Sequence, residues 1–142
     1  MKKLNLKNKI STLAILLAGM MVVTISGCKK YPDGPMISFY SRTQRVAHAW
    51  KVDNYKMNEN DLTSLYSNYT ETYTKDGNYS YSWGMLSGTG KWSFQNKDKE
   101  ILLSGISNQN TYTLEILKLE EKAFWYSYMD GGNKKEFHMI RD

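Results

Sequence analysis

Residues 69–83 read YTETYTKDGNYSYSW, and this stretch is the strongest indication of the fold. In its second half, Tyr79, Tyr81 and Trp83 share one face and serines occupy the other. Alternation with a period of two, with aromatic residues on one face, is typical of a half-buried β-strand. The Asp76-Gly77 pair supplies the positive φ that a tight hairpin turn requires. The stretch therefore predicts two antiparallel strands joined by a short turn.

The same alternation continues along the chain from Trp50 onward. It is clear around Trp92 and Phe94, and again where Phe124, Tyr126 and Tyr128 alternate with other residues. Polar connections rich in Asn, Asp, Gly and Lys separate these runs, as expected of turns. The pattern predicts eight strands, at residues 50–57, 69–75, 78–84, 89–95, 100–105, 111–119, 123–129 and 134–141.

Eight strands with short connections pair antiparallel with their neighbours in sequence. Such a sheet leaves two edges open or closes on itself, and closure removes edges that are prone to aggregation. We therefore predict an all-β fold, an eight-stranded antiparallel up-and-down barrel, with an open β-sandwich as the alternative. The longest connection, residues 58–68, has room for a helical turn or a lid over one end. Residues 41–49 lack a strand pattern and begin with Ser41, a residue type favoured at helix N-caps, which predicts a short N-terminal helix.

The N-terminal leader is the second informative region. Its first nine residues carry four lysines and no acid, and the run from Ile10 to Ile25 carries no charge. A basic start followed by a short apolar stretch and small residues predicts a secretory signal peptide. The run has 16 residues, fewer than the ~20 that a membrane-spanning helix needs. An uncleaved membrane anchor is therefore the less favoured alternative.

The end of the leader resembles the lipobox of bacterial lipoproteins, because Ile25, Ser26, Gly27 and Cys28 fill its four places. The resemblance implies that the signal peptide, residues 1–27, is removed and that Cys28 carries acyl chains such as palmitate. Two or three acyl chains on one residue give stable membrane anchoring. The resemblance thus implies a lipid-anchored protein of the cell envelope. Lys29 is not the aspartate of an inner-membrane retention signal, which favours the outer membrane.

Removal of the leader leaves residues 28–142, enough for one domain. Residues 28–38 include both prolines of the chain and are predicted to form a tether, so the barrel domain would span residues 39–142. Four of the 19 basic residues belong to the leader, which leaves 15 basic residues against 14 acidic ones. Because no basic stripe remains, we expect no nucleic-acid partner. Cys28 is the only cysteine, which excludes a disulfide within the chain.

Five segments of the domain carry a wider resemblance. They are Trp50-Lys51-Val52, residues 73–79 (YTKDGNY), residues 87–94 (SGTGKWSF), residues 112–119 (YTLEILKL) and residues 136–141 (EFHMIR). On these segments the chain resembles small lipocalin-like lipoproteins of Gram-negative envelopes, a likeness that implies a barrel but assigns no ligand. True lipocalins place Gly-x-Trp in the first strand, whereas this strand opens with His48-Ala49-Trp50. That departure, with the short length of the barrel, argues against a large ligand cavity.

No catalytic or metal-ligating pattern is visible in the sequence. The two histidines, His48 and His138, are about 90 residues apart, and His138 is interpreted as a surface or barrel-end residue. No group of residues has the spacing of a zinc site. The glycine-rich residues 87–90 precede a strand rather than a helix, so they are interpreted as a turn or bulge and not as a phosphate loop. We therefore predict a protein that is not an enzyme and has no cofactor and no metal; an enzyme is the least favoured alternative, which buried, converging titratable groups would support.

Glu71 falls on the same alternating face as Tyr69 and Tyr73. If that face points inward, Glu71 is a buried carboxylate that needs a partner. Because buried acids are rare, an outward-facing side chain is the favoured interpretation.

The richest feature of the domain is aromatic, with 11 Tyr, 4 Trp and 4 Phe in the chain. Ten of these residues are predicted to line the barrel interior as a tentative ligand site: Tyr73, Tyr79, Tyr81, Trp83, Trp92, Phe94, Tyr112, Phe124, Tyr126 and Tyr128. One interpretation is a solid aromatic core, since side chains often fill eight-stranded barrels. The other is an amphipathic pocket, which buried tyrosine hydroxyls in need of partners would favour.

Together these features predict a non-enzymatic, lipid-anchored envelope protein whose barrel binds a small apolar or amphipathic ligand. The alternative is a protein–protein module, either an accessory subunit of an envelope complex or an inhibitor of a secreted enzyme, because interfaces favour Tyr and Trp.

Overall fold

A computed structural model describes residues 31–32, 38–106 and 110–141 of the chain. The predicted signal peptide, Cys28 and most of the predicted tether lie outside the described residues. None of the helices in the described ranges is long and apolar enough to span a membrane.

The described residues form nine strands, one short α-helix and one 3-10 helix. The α-helix α1 is Arg42–Val46, and the 3-10 helix is Thr63–Tyr66. The strands are β1 (Ala49–Met57), β2 (Asn60–Asp61), β3 (Tyr69–Tyr73), β4 (Asn78–Trp83), β5 (Leu86–Gln95), β6 (Glu100–Ile106), β7 (Asn110–Leu119), β8 (Ala123–Asp130) and β9 (Asn133–Ile140). All eight predicted strands are confirmed, and β2 is a two-residue addition to them.

The strands form one antiparallel sheet that closes into a barrel. From β3 to β9 each strand pairs with the next one along the chain, and β1 pairs with β3 through Ala49–Lys51. β1 also pairs with β9, from Lys51↔Ile140 to Met57↔Lys135, and this second pairing closes the sheet. The predicted eight-stranded up-and-down barrel is therefore confirmed, and the open β-sandwich is wrong. Closure supplies hydrogen-bond partners to the two edges that a sandwich would expose.

The up-and-down path places alternate connections at opposite ends of the barrel. Turns at residues 74–77, 96–99 and 120–122 lie at one end, together with α1; this is the closed end. Residues 58–68, 84–85 and 131–132 lie at the other end, which is the mouth.

Helix α1 seals the closed end. The Ser41 hydroxyl accepts a hydrogen bond from the Gln44 N–H (3.1 Å), and the Gln44 side chain accepts one from the Ser41 N–H (2.8 Å). This reciprocal capping box starts the helix. Within the helix, the Val46 side chain is fully buried, and Arg45 donates a hydrogen bond to the Leu119 carbonyl (2.6 Å). The predicted N-terminal helix is present at this position.

Tyr31, a residue of the predicted tether, also belongs to the closed end. It is only 3% exposed and packs with the core, and its hydroxyl donates to the Asp98 carbonyl (2.9 Å). The Asp98 carboxylate in turn forms an ion pair with Arg42 of α1. The folded body therefore includes Tyr31, which lies upstream of the expected start at Phe39.

The half of the barrel next to α1 is solidly packed. Its side chains include Trp50, Tyr73, Trp92, Ile101, Ile116, Leu119, Phe124 and Met139, all buried. Trp50 and Tyr73 each contact the ring of Phe124 with centroids 5.7 Å apart. The predicted filling of the barrel by a solid aromatic core is therefore correct for this half.

The connection at the mouth contains the 3-10 helix, as its length suggested. Its Tyr66 ring stacks on Trp83 at 4.6 Å with an interplanar angle of 11°. The Trp83 indole N–H donates to the Leu65 carbonyl (3.0 Å). These contacts hold the connection against β4 at one side of the mouth.

Candidate functional site: an aromatic cup with a buried carboxylate

A cavity of about 250 Å³ occupies the half of the barrel next to the mouth. Most of its wall is aromatic, with an apolar side and three charged residues. The lining residues are Tyr69, Glu71, Tyr79, Tyr81, Trp83, Leu103, Ile106, Tyr112, Leu114, Tyr126, Tyr128, Asp130 and Lys135. This cavity is the cup.

The ten aromatic residues predicted for the interior divide between the cup and the packed half. Six line the cup: Tyr79, Tyr81, Trp83, Tyr112, Tyr126 and Tyr128. Tyr73, Trp92, Phe94 and Phe124 pack in the core instead. The alternation of aromatic and polar residues correctly predicts which face of each strand points into the barrel. The position of a residue along its strand then decides whether its ring lines the cavity or packs in the core. Their role in ligand binding stays a prediction.

The Glu71 side chain is inside the barrel and only 2% exposed, so the interpretation as an outward-facing charge is wrong. Its Oε1 accepts hydrogen bonds from the hydroxyls of Tyr69 (2.8 Å), Tyr79 (2.9 Å) and Tyr126 (2.9 Å). Its Oε2 accepts one from the Tyr73 hydroxyl (2.9 Å). Three donors thus converge on Oε1 and one reaches Oε2. Glu71 and these four tyrosines form the carboxylate cluster at the floor of the cup.

Burial dominates the electrostatics of this cluster. It raises the pKa of Glu71 above its ordinary value of 4.5, and the four hydrogen bonds oppose the rise only in part. Burial and the adjacent Glu71 charge both raise the pKa values of Tyr69, Tyr73 and Tyr126 well above 10. The tyrosines therefore stay protonated and act as donors to the carboxylate.

The rim of the cup carries one ion pair. Lys135 Nζ lies 2.5 Å from Asp130 Oδ2, and 5.8 Å from the centroid of the Tyr128 ring. Because these rim charges cancel, the net charge of the cup lining depends on the ionisation of Glu71.

Two glycines of β5 lie against Tyr81 and Ile106, residues that line the cup. A Cβ on Gly88 would lie 2.5 Å from the Tyr81 ring, and one on Gly90 would lie 2.5 Å from the Ser104 carbonyl oxygen. Both glycines sit within the regular strand Leu86–Gln95. The interpretation of residues 87–90 as a turn or bulge is therefore wrong, because these glycines make room for cross-strand neighbours.

Both histidines lie away from the cup lining. His138 lies on the outer face of β9, between the buried Phe137 and Met139, and stacks on Trp125 at 4.0 Å. His48 lies at the closed end, where its Nδ1 is 2.7 Å from an Arg141 nitrogen. Among residues 31–32, 38–106 and 110–141, no group of three His, Cys, Asp or Glu side chains is placed to hold a metal ion.

The lining of the cup suits the binding of a ligand that matches its shape and its distribution of polar groups. Aromatic faces and the Leu103, Ile106 and Leu114 side chains offer an apolar surround, and the carboxylate cluster offers a polar floor. Comparison with protein-family models and with curated protein sequences gave no match.

Proposed function

We propose that this chain is a non-enzymatic, lipid-anchored protein of the outer membrane whose barrel binds a small amphipathic molecule in the cup. The proposal depends on one observation, the cavity in the barrel. Its wall is mostly aromatic, whereas the alternative interpretation was a solid core with no cavity. A concave, mostly apolar site with a few converging polar groups is the usual form of a ligand pocket.

The volume sets the size of the ligand. Pockets for drug-sized molecules measure roughly 300–1,000 Å³, and the cup is smaller, at about 250 Å³. It suits a compact molecule with an apolar body that reaches the carboxylate cluster with one polar group.

Native mass spectrometry of the gently purified protein tests the binding proposal. We expect a bound small molecule that is released on denaturation. The Leu103→Phe variant fills the cup, since Leu103 lines it and is 3% exposed, and this variant should lose the adduct. Leu102→Phe, on the outward-facing neighbour in β6, is the matched control and should keep it. A clean apo mass for the wild type, or an adduct that Leu103→Phe retains, contradicts the proposal.

The anchoring proposal is supported by the leader and the lipobox-like residues 25–28. Replacing Cys28 by Ala should leave the precursor unprocessed at this site and move the protein out of the detergent phase in a phase-separation assay. Membrane retention equal to that of the wild type would refute anchoring through Cys28.

A second candidate function is docking of an envelope protein over the mouth. Leu65, Met85 and Leu86 are large apolar residues at this end and are mostly exposed. Exposed apolar residues next to one another often mark an interaction site. Cross-linking in envelope preparations should capture a partner with the wild type, and the Met85→Ser/Leu86→Ser variant should lose it. Phe39→Ser, at an exposed apolar residue next to α1 and away from the mouth, is the control. Equal capture by all three proteins argues against a partner at the mouth.

A further inference from the structure

A carboxyl group, that of Glu71, is buried at the floor of the cup. Glu71 forms no ion pair in the described ranges, and the nearest basic residue of the cup lining, Lys135, is paired with Asp130 at the rim. Hydrogen bonds from four hydroxyls reduce the cost of burying the charge but leave the charge in place. When Glu71 is ionised, the cup lining is therefore negative at its deepest point, and a cation bound there favours the ionised form.

The direction of the hydrogen bonds decides what the floor offers to a ligand. With Glu71 ionised, the hydroxyls of Tyr69, Tyr79 and Tyr126 all donate to its Oε1. Each of these hydroxyls has one proton, so only oxygen lone pairs remain for a ligand. A ligand group at the floor must therefore donate hydrogen bonds, and it gains further if it carries a positive charge.

The walls of the cup also favour a positively charged ligand group. Tyrosine and tryptophan rings carry negative potential on their faces, which attracts a cation within about 6 Å of the ring centre. Seven of the residues that line the cup are Tyr or Trp. A carboxylate or phosphate group in the same position would meet the Glu71 charge and these faces with repulsion.

On the basis of the proposed binding function, we infer that the cup selects small molecules that join an apolar body to one protonated amine. The ammonium group lies at the floor and donates to the hydroxyl oxygens of Tyr69, Tyr79 and Tyr126, close to the Glu71 carboxylate. The apolar body lies against Leu103, Ile106 and the aromatic walls.

Three probes of similar size and different charge test this inference: 2-phenylethylamine, 2-phenylethanol and 3-phenylpropionate. Their dissociation constants for the full-length processed protein can be measured by calorimetry. We expect the amine to bind about tenfold or more tighter than the alcohol, as charge-assisted hydrogen bonds would give, and the propionate to bind weakest. Glu71→Gln should reduce the affinity for the amine by about tenfold and change that for the alcohol by about twofold at most.

Two further variants control the comparison. Glu115→Gln removes an exposed carboxylate on β7 and should keep the amine preference of the wild type. Tyr126→Phe removes one hydroxyl from the floor and keeps the ring, so it should weaken amine binding severalfold and alcohol binding less. This variant gives the decisive comparison if Glu71→Gln does not fold.

The outcomes separate the ligand class from the binding function. Alcohol or propionate binding as tightly as the amine overturns the inference but leaves the cup as a binding site. An amine preference that persists in both Glu71→Gln and Tyr126→Phe also overturns it. Failure of all three probes to bind the wild type overturns the proposed function as well.

Discussion

Hydroxyl groups, rather than a cation, accommodate Glu71 inside the barrel. The four donors come from three strands: Tyr69 and Tyr73 from β3, Tyr79 from β4 and Tyr126 from β8. Tyr126 is 55 residues away in sequence. The alternation in residues 69–83 places Glu71 on the same face as its neighbouring tyrosines, but it does not show that a distant strand completes the set. For this reason the burial of Glu71 could not be predicted from the sequence.

The raised pKa of Glu71 makes stability depend on pH. Because its pKa in the folded state lies above the ordinary value of 4.5, the folded state holds the proton more tightly. The favourable contribution is complete below pH 4.5 and is lost as the pH rises through the raised pKa. Glu71→Gln does not titrate, so the wild type should lose stability relative to this variant as the pH rises from below 4.5 to neutral.

Urea unfolding of both proteins across this pH range measures the difference. The exposed-site variant Glu115→Gln is the control and should follow the wild type. A difference between wild type and Glu71→Gln that does not change with pH would show that the Glu71 pKa is not raised.

At the scale of the element, local pattern was sufficient to predict the strands but not the details between them. Aromatic and β-branched alternation predicted all eight long strands because each strand has one buried face. The local pattern does not explain the glycines of β5. The contacts that require glycine there, with Tyr81 and with the Ser104 carbonyl, come from neighbouring strands. The position of Tyr31 depends likewise on Asp98, 67 residues away.

The two β5 glycines should respond differently to alanine. At Gly90 the new Cβ would meet the Ser104 backbone oxygen at 2.5 Å, so β5 and β6 must separate. At Gly88 it would meet the half-buried Tyr81 ring, which can turn within the cup. We expect Gly90→Ala to lower the free energy of unfolding by about 1–3 kcal/mol and Gly88→Ala to lower it less. Chemical denaturation measures both values, and equal or negligible losses would contradict the contacts described.

The capping box of α1 should contribute to the stability of the protein. Ser41→Ala removes the acceptor for the Gln44 N–H and should lower the free energy of unfolding by about 0.5–2 kcal/mol. Ser41→Asp keeps an acceptor and should recover most of the loss. Thermal unfolding of the two variants tests this, and an unchanged midpoint for Ser41→Ala would show that α1 does not contribute to sealing the closed end.

At the scale of the whole molecule, the position of Tyr31 fixes the orientation of the barrel on its proposed anchor. Cys28 precedes Tyr31 by three residues, and three residues of extended chain span at most about 11 Å. Tyr31 is buried at the closed end. A lipid on Cys28 would therefore hold the closed end against the membrane, with the cup opening away from it.

Lipid-linked quenchers in vesicles test this orientation. A fluorophore on Lys97→Cys, in an exposed turn at the closed end, should be quenched more strongly than one on Met85→Cys at the mouth. Equal quenching, or stronger quenching at Met85, would contradict the orientation and leave the fold and the cup unaffected.

The central claim is that half of the barrel is a binding cup and half is a solid core. Methyl NMR during titration with 2-phenylethylamine tests it most directly, because the two halves carry matched Leu and Ile probes. Leu103, Ile106 and Leu114 line the cup, whereas Ile101, Ile116 and Leu119 pack in the closed half. We predict saturable shifts for the three cup methyl groups and little change for the other three. Shifts centred on the closed half, or no saturable shift at all, would contradict the claim.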